Sequence, residues 1–475
     1  MGARDLLKRL LGESAVYGMA GAIQKSIGLF LIPIYTRCFT PEEYGVLALL
    51  SAFSVLFDIF IVLGLDNSAA RWFYDTEEVE DRRITIASWF WCQLAVGLLT
   101  AAGLLLAAPL IAPLLLGEGG DVRLMSLVIL LVPLGTFLKV TGNTLRYQRA
   151  AWKAATFSVV SALSTVGLVI LMVVGLDLGM IGVYAGQIAA LCLVAVVGAL
   201  LLRPWIAPRH ASRERLRQML SFGLPLVPAG IASWVRLSSD RLILQSSWSE
   251  AEVGLFALAF QLAAVVGLCT SAFDMAYGPF AYSIHQQPHA RDLYARVLTL
   301  FAFGGAWLCV VVSLFDDLII ALLATEAYAS AASGVPMLCF SHLFYGMVGI
   351  ASIGPGIVKK SGPVATSIFI AAAVSLGMNF ALIPSLGRDA AALSNMCSSL
   401  AAAAWLFWQG QRLYPIPYRF GGVAACVLTA WAIVAVDTFF INDHGHFATA
   451  IRALMALGYL TLALPLGISR LAREA

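Results

Sequence analysis

Charge is what this sequence most lacks. Of its 475 residues only 12% are Asp, Glu, Lys or Arg, while 60% are hydrophobic; soluble globular chains are about one-quarter charged. That balance excludes a string of soluble domains. No polar stretch is long enough for an extramembrane domain, which argues against a membrane-anchored enzyme with a catalytic head. The eight cysteines (Cys38, Cys92, Cys192, Cys269, Cys309, Cys339, Cys397 and Cys426) form no CxxC and no paired spacing. Nearly all fall inside apolar segments, where a thiol packs as a small hydrophobe. Histidines offer no metal cluster: His285 and His289 share one loop, His444 and His446 another. There is no nucleophile elbow, no phosphate-binding glycine loop and no catalytic carboxylate pair. The sequence therefore predicts no enzyme, no cofactor, no metal and no nucleic-acid partner.

What is present is a succession of apolar runs, each near the ~20 residues a helix needs to cross a bilayer. Fourteen spans are predicted, at about 15–36, 44–66, 84–108, 122–145, 154–175, 178–201, 216–244, 251–273, 292–315, 331–353, 363–384, 388–410, 420–440 and 448–469. The predicted fold class is an all-α polytopic membrane protein. The first run follows basic residues, as in a signal peptide, but Ala15 to about Tyr35 is too long for one and no cleavage site follows, so it reads as a retained span.

Lys and Arg divide unequally between the two sides. With the N-terminus placed inside, 22 of the 30 fall on the inner side and four (Arg37, Arg123, Arg388, Arg452) on the outer; Lys25, Lys139, Arg236 and Arg241 lie within spans. Over short loops this asymmetry puts both termini in the cytoplasm.

One motif occurs twice. "FTPEEYGVLALL" (39–50) is followed 209 positions later by "WSEAEVGLFALA" (248–259). Over fifteen aligned positions Glu43/Glu252, Gly45/Gly254, Ala48/Ala257 and Leu49/Leu258 are identical. The offset carries the first span onto the seventh, and an even number of spans preserves orientation, so the copies are parallel repeats. This predicts an N-terminal six-helix lobe (1–205), a second six-helix lobe (206–412) and two appended helices (413–475). Locally, Thr40-x-x-Glu43 and Ser249-x-x-Glu252 read as capping boxes at outer helix starts.

"GLFLIPIYTRCFTPEEYGVLALLSAF" (28–53), "LGLDNSAARWFY" (63–74) and "FGLPLVPAGIASWVRLSSDRLILQSSWSEAEVGLFALAFQLA" (222–263), set in two six-span lobes plus two spans, resemble the multidrug/oligosaccharidyl-lipid/polysaccharide (MOP) exporter superfamily. The closer likeness is to its polysaccharide-transporter branch, the Wzx-type flippases. An outer S/T-P-E-x-Y/F-G segment (here Thr40–Gly45) and an S-S-D-R segment (here Ser238–Arg241) carry it. The resemblance implies two lobes around a central cavity with alternating access. Its cargo would be undecaprenyl-pyrophosphate-linked sugars for O-antigen, capsule or exopolysaccharide, crossing the bacterial inner membrane. It also implies contact with membrane lipids, with proton or sodium coupling and with polysaccharide polymerase and glycosyltransferases as candidate partners.

Ionisable groups inside spans are costly and are functional candidates. Lys25, beside Gln24, and Asp58 lie in the first two spans; Arg236, Asp240 and Arg241 lie in the seventh. Lys139, Asn143 and Arg146 share one face of the fourth at i, i+4 and i+7, and Arg71 stands at the inner end of the second. Two readings stay open. In one, Lys25, Arg236, Arg241, Lys139, Arg146 and Arg71 form a cationic path for pyrophosphate or acidic sugars, and Gln24, Asn143, Asp58 and Asp240 support or couple. In the other, Lys25 pairs with Asp58, Arg236 pairs with Asp240 at i, i+4, Arg71 is an ordinary inner-side charge and Arg241 reaches headgroups. Similarly, "RPWIAPRHASRERLRQ" (203–218) reads as a basic topology marker or a site for anionic lipids, and "YDTEEVEDRR" (74–83) as a solvated helix cap. Pro33, Pro133, Pro225, Pro228 and Pro336 are expected to break helical hydrogen bonds within spans. The in-span charges lean cationic, which favours an anionic cargo over the cationic drugs of a multidrug exporter; a peptidoglycan-precursor flippase stays open as well.

Overall fold

The computed structural model describes residues 28–117, 120–440 and 446–467. Among them every regular element is helical and there is no strand. The chain forms α1 (Gly28–Cys38), α2 (Pro41–Val62), α3 (Leu65–Tyr74), α4 (Val79–Leu116), α5 (Val122–Tyr147), α6 (Ala151–Ile170) and α7 (Gly179–Leu202). Then come α8 (Arg213–Gly223), α9 (Val227–Ser247), α10 (Glu250–Ile284), α11 (Ala290–Leu314) and α12 (Asp316–Leu323). The last are α13 (Val335–Ile357), α14 (Gly362–Leu413), α15 (Phe420–Phe440) and α16 (His446–Gly467).

Eleven of these helices, α6 being counted with its π-turn extension and α9 and α13 with the segments that lead into them, are long and apolar enough to cross a bilayer. One of the eleven, α14, is two helices joined at Gly387, whose φ of 60° and ψ of −138° no helical residue adopts. The described part of the first apolar run and the apolar stretch Phe447–Leu462 stand where the sequence puts the first and fourteenth spans. The fold is thus a polytopic helical membrane fold because hydropathy dictates it: backbone groups in hydrocarbon must be satisfied within the segment.

The chain divides into two compact units between Trp234 and Val235, inside α9. In the first unit the long connector after α7 is sewn to the body. Arg215 pairs with Asp81 and its Nη1 donates to Thr85 Oγ1 at 2.9 Å. His210 lies 3.1 Å from Glu80, Trp91 Nε1 donates to the Ile206 carbonyl at 2.9 Å, and Ser68 Oγ to that of Met219 at 2.8 Å. The acidic segment 74–83, expected as a solvated cap, is therefore the docking site of the basic connector, and Arg215 is committed to protein rather than lipid.

Within the same unit α2 ends abruptly at Leu63–Gly64, where both residues have positive φ (50° and 67°). The break lets the backbone of Gly64 cross that of Gly223: a Cβ on Gly64 would stand 2.4 Å from the Gly223 carbonyl oxygen. The left-handed φ and this contact both require glycine. We expect Gly64→Ala to lower stability by about 2–4 kcal/mol, the sum of backbone strain and steric displacement, measured as a lower unfolding temperature of the purified protein.

Two expectations are corrected. Thr40 and Glu43 do form a reciprocal capping box, with Thr40 N–H donating to Glu43 Oε2 at 2.9 Å and Glu43 N–H to Thr40 Oγ1 at 3.4 Å. Its counterpart is one-sided: Glu252 N–H donates to Ser249 Oγ at 3.3 Å, but the Glu252 carboxylate accepts from Arg388 Nη1 at 2.8 Å. Pro336 sits in the first turn of α13, where a proline costs no intrahelical hydrogen bond, so it marks a helix beginning rather than a mid-span bend. Pro225 and Pro228 fall at and just after the 3₁₀ turn Leu224–Leu226, inside the continuous helical span Arg213–Ser247, where the α-helical bonding is interrupted; Pro133 lies inside α5.

Candidate functional site

The densest buried polar chemistry among the described residues belongs to the second unit, where α9, α13 and α14 meet. Arg236 is only 6% exposed, and its guanidinium lies 4.3 Å from the centroid of the Tyr345 ring, a cation–π contact. Asp240 is fully buried. The close partner of its carboxylate is Arg241, at 3.2 Å, and not Arg236 as the i, i+4 spacing suggested. Asn395 Nδ2 donates to the other carboxylate oxygen at 2.7 Å, and the Arg241 N–H donates to Oδ1 at 2.7 Å. Arg241 in turn faces the rings of Phe260 (4.9 Å) and Phe256 (5.5 Å). Asp240 is thus a saturated buried acceptor. No carboxylate among the described residues comes within ion-pair distance of Arg236.

Around these charges α13 and α14 supply a layer of hydroxyls and amides. Asn379 Nδ2 donates to Ser239 Oγ at 3.0 Å, Ser341 Oγ donates to the Asn395 carbonyl at 2.9 Å, and Ser341 and Ser399 hydroxyls lie 3.0 Å apart. The amide oxygens of Asn379 and Asn395 are buried without a hydrogen-bond partner, as is Nε2 of His342, whose ring is 5.4 Å from Phe260. Unsatisfied acceptors cost about 1–3 kcal/mol each when buried, so such a layer is expensive to keep. Tyr345, Asn379, Asn395 and His342 are absent from the sequence-level candidates. Asn395 was legible: polar residues at 394, 395, 398 and 399 interrupt an otherwise apolar run.

In the first unit the predicted residues separate into three places. Asp58 on α2 is paired with Lys139 on α5, so the two neutralise each other. Lys25 and Gln24 lie outside the described residues. Asn143 is half-buried and Arg146 is exposed at the end of α5, where no described carboxylate pairs with it. Arg71 is exposed at the tip of α3, stacked on Phe222 at 4.8 Å and on Trp72 at 5.5 Å.

A groove of about 770 Å³ runs beside the polar layer's helices, between α11, α13, α14 and α15. Its walls are apolar and aromatic, with Phe344, Phe407, Trp408, Phe420 and Trp431 prominent and Gln411 as the polar exception.

An all-helical membrane body with this order of spans has the fold of the MOP superfamily of transporters. The lipid II flippase MurJ in its inward closed conformation superposes over 95% of this chain and 98% of that one, with a TM-score of 0.72 at 13% identity. An inward-facing multidrug resistance MATE family transporter of the MOP superfamily does so over 82% and 94%, with a TM-score of 0.63 at 17% identity. More particularly, the family model described as "Polysaccharide biosynthesis protein" matches residues 34–333, and the chain belongs to that family. The succinoglycan biosynthesis transport protein ExoT of Rhizobium meliloti is 26% identical over 271 residues, which cover 57% of this chain and about half (52%) of that protein. Lsg locus putative protein 1 of Haemophilus influenzae is 23% identical over 308 residues, covering 62% of this chain and 71% of that one. By their names ExoT is a transport protein, MurJ a flippase and the MATE protein a transporter, and the fold of this chain is that of the latter two.

Proposed function

We propose that this chain is a flippase for lipid-linked oligosaccharides. It moves undecaprenyl-pyrophosphate-linked repeat units from the cytoplasmic to the outer leaflet of the bacterial inner membrane by alternating access, with both termini cytoplasmic. The observation that carries this reading is Arg236: an arginine buried in a span, resting on Tyr345 and without a close carboxylate among the described residues. A fixed cation in a partly dry interior attracts phosphate or acidic sugar, whereas a site for cationic drugs needs the opposite sign. Arg241, Asp240 and the surrounding serines and asparagines form the hydrogen-bonding wall. The aromatic groove bordered by Trp408 and Trp431 suits an isoprenoid chain, since only apolar side chains and one amide line it. Arg71, on its stacked Phe222, and Arg146 are assigned to headgroup capture at the inner end of the first unit. Asn143 is assigned to the same role, as on the sequence alone are Lys25 and Gln24, which lie outside the described residues, and Lys139 with Asp58 closes the α2–α5 contact. Two six-helix lobes (1–205 and 206–412) with appended helices (413–475), a coupling proton or sodium ion, and partnership with polysaccharide polymerase and glycosyltransferases belong to this reading.

Deletion of the gene tests it. The expected result is loss of surface polysaccharide in viable cells, with repeat units accumulating on the cytoplasmic leaflet, where added impermeant glycosidases fail to reach them. Loss of viability on depletion would assign the chain instead to peptidoglycan precursor. Intact polysaccharide with new drug sensitivity would make it a multidrug exporter.

A further inference from the structure

The first unit holds a row of buried polar atoms apart from the charges already described. It lies between α4 and α5, which run antiparallel. Three contacts fix their register. A Cβ on Gly97 would stand 3.3 Å from the Pro133 Cα, the Phe90 and Phe137 rings are 5.1 Å apart, and those of Trp89 and Tyr147 are 6.2 Å apart. Trp89, Gln93 and Gly97 follow one another at helical spacing, so Gln93 occupies the same seam between two residues that touch α5. On α5, Thr144 stands about one turn before Tyr147, and Thr141 about one turn before that.

All four polar residues are closed off from solvent: Gln93 is 1% exposed, and Trp89, Thr141 and Thr144 are fully buried. Yet the Trp89 indole N–H, both amide atoms of Gln93 and the hydroxyls of Thr141 and Thr144 have no hydrogen-bond partner among the described residues. The two threonines depart from the habit of this unit. The hydroxyls of Thr85 and Thr165 donate to the carbonyl four residues back, at 3.2 and 2.9 Å, which is the usual resort of a hydroxyl within a helix. Thr141 and Thr144 forgo that bond. Thr141 Oγ1 turns to α7, where a Cβ on Gly198 would stand 2.6 Å from it, so the glycine leaves the hydroxyl its room.

The orphaned atoms are complementary to one another. Trp89 Nε1 and Gln93 Nε2 are donors, Gln93 Oε1 is an acceptor, and each threonine hydroxyl is both. A dry seam would carry a penalty of the same order as the net stability of a whole domain. Spacing supplies the remedy. Neighbours one helical turn apart are separated by about 5.4 Å, close to two hydrogen-bond lengths, which is the reach of one bridging water. Water with several polar partners is a regular component of protein interiors, and at this depth no lipid group can take its place.

We propose that α4 and α5 enclose a site for internal water, a short file of molecules that joins Trp89 and Gln93 of α4 to Thr144 and Thr141 of α5. The site is independent of the cargo assigned above.

Radiolytic labelling of the full-length protein in lipid nanodiscs tests it. A brief X-ray pulse converts water into hydroxyl radicals, and mass spectrometry locates the side chains they modify. Trp89 and Phe90 make the comparison internal, since they are consecutive and both buried, but Phe90 packs on the Phe137 ring. After correction for intrinsic reactivity, Trp89 is expected to be modified at least about tenfold faster than Phe90, because a bound water releases its radical at hydrogen-bond distance. Gln93→Leu removes two of the atoms that hold the file, and Thr144→Val removes one. Each should bring the Trp89 rate down toward that of Phe90. If one variant does not reach the membrane, the other carries the comparison, and the wild-type ratio is decisive by itself. Equal rates for Trp89 and Phe90 in the wild type, or a Trp89 rate that neither substitution lowers, overturns the proposal.

Discussion

Arg236→Ala is expected to reduce polysaccharide export at least about tenfold while the protein still accumulates in the membrane. Its guanidinium contributes a cation–π contact with Tyr345, worth about 2 kcal/mol when desolvated, and among the described residues it has no close carboxylate that its removal would orphan. Stability should therefore suffer modestly. The anion it offers to hold loses a charge-assisted partner, and such bonds contribute about 1.5–3 kcal/mol each, or roughly tenfold to a hundredfold in transport. Arg236→Lys keeps the charge but loses the planar fork and the ring stacking, so it should recover only part of the rate. Full export by a well-expressed Arg236→Ala protein would remove the cationic site from the mechanism.

The second large effect is on folding. Asp240→Ala strips a fully buried carboxylate from Arg241, Asn395 and a backbone amide at once. Breaking a buried pair by removing one partner costs about 3–5 kcal/mol because the other charge is left uncompensated. The variant should show a much lower unfolding temperature and little protein in the membrane. Asp240→Asn keeps an acceptor in the same shape and should lose about 1–3 kcal/mol. An Asp240→Ala protein as stable as wild type would show that Arg241 finds solvent or another partner, and would return Asp240 to the candidates for ion coupling.

These two residues also show where reading a sequence reaches its limit. Span positions follow from hydropathy alone, because the bilayer imposes one length and one polarity, and the first cap follows because Thr40 and Glu43 are three residues apart. Pairing across helices does not follow from spacing. Arg236 is four residues from Asp240, the helical distance for an ion pair, yet its side chain turns to Tyr345 on α13, more than a hundred positions away. Asp58 finds Lys139 eighty-one residues on, and Glu252 finds Arg388 rather than its own cap. Such choices depend on which helix packs against which, and that is a property of the assembled unit. The polar layer of α14 was nearer to hand: serine and asparagine four apart within an alanine-rich run cannot face lipid without cost.

The unequal caps carry a consequence for how the chain is made. Glu43 closes its cap with a residue three positions upstream, so the first copy of the motif is complete as soon as that turn leaves the ribosome. Glu252 depends on Arg388, 136 residues later. Until the kink of α14 has been synthesised and inserted, the start of α10 has its serine cap but its glutamate lacks the arginine that it faces in the finished protein. The two copies of the motif thus differ in timing: one has all its partners within a single turn, the other gains its last one only after most of its neighbours exist.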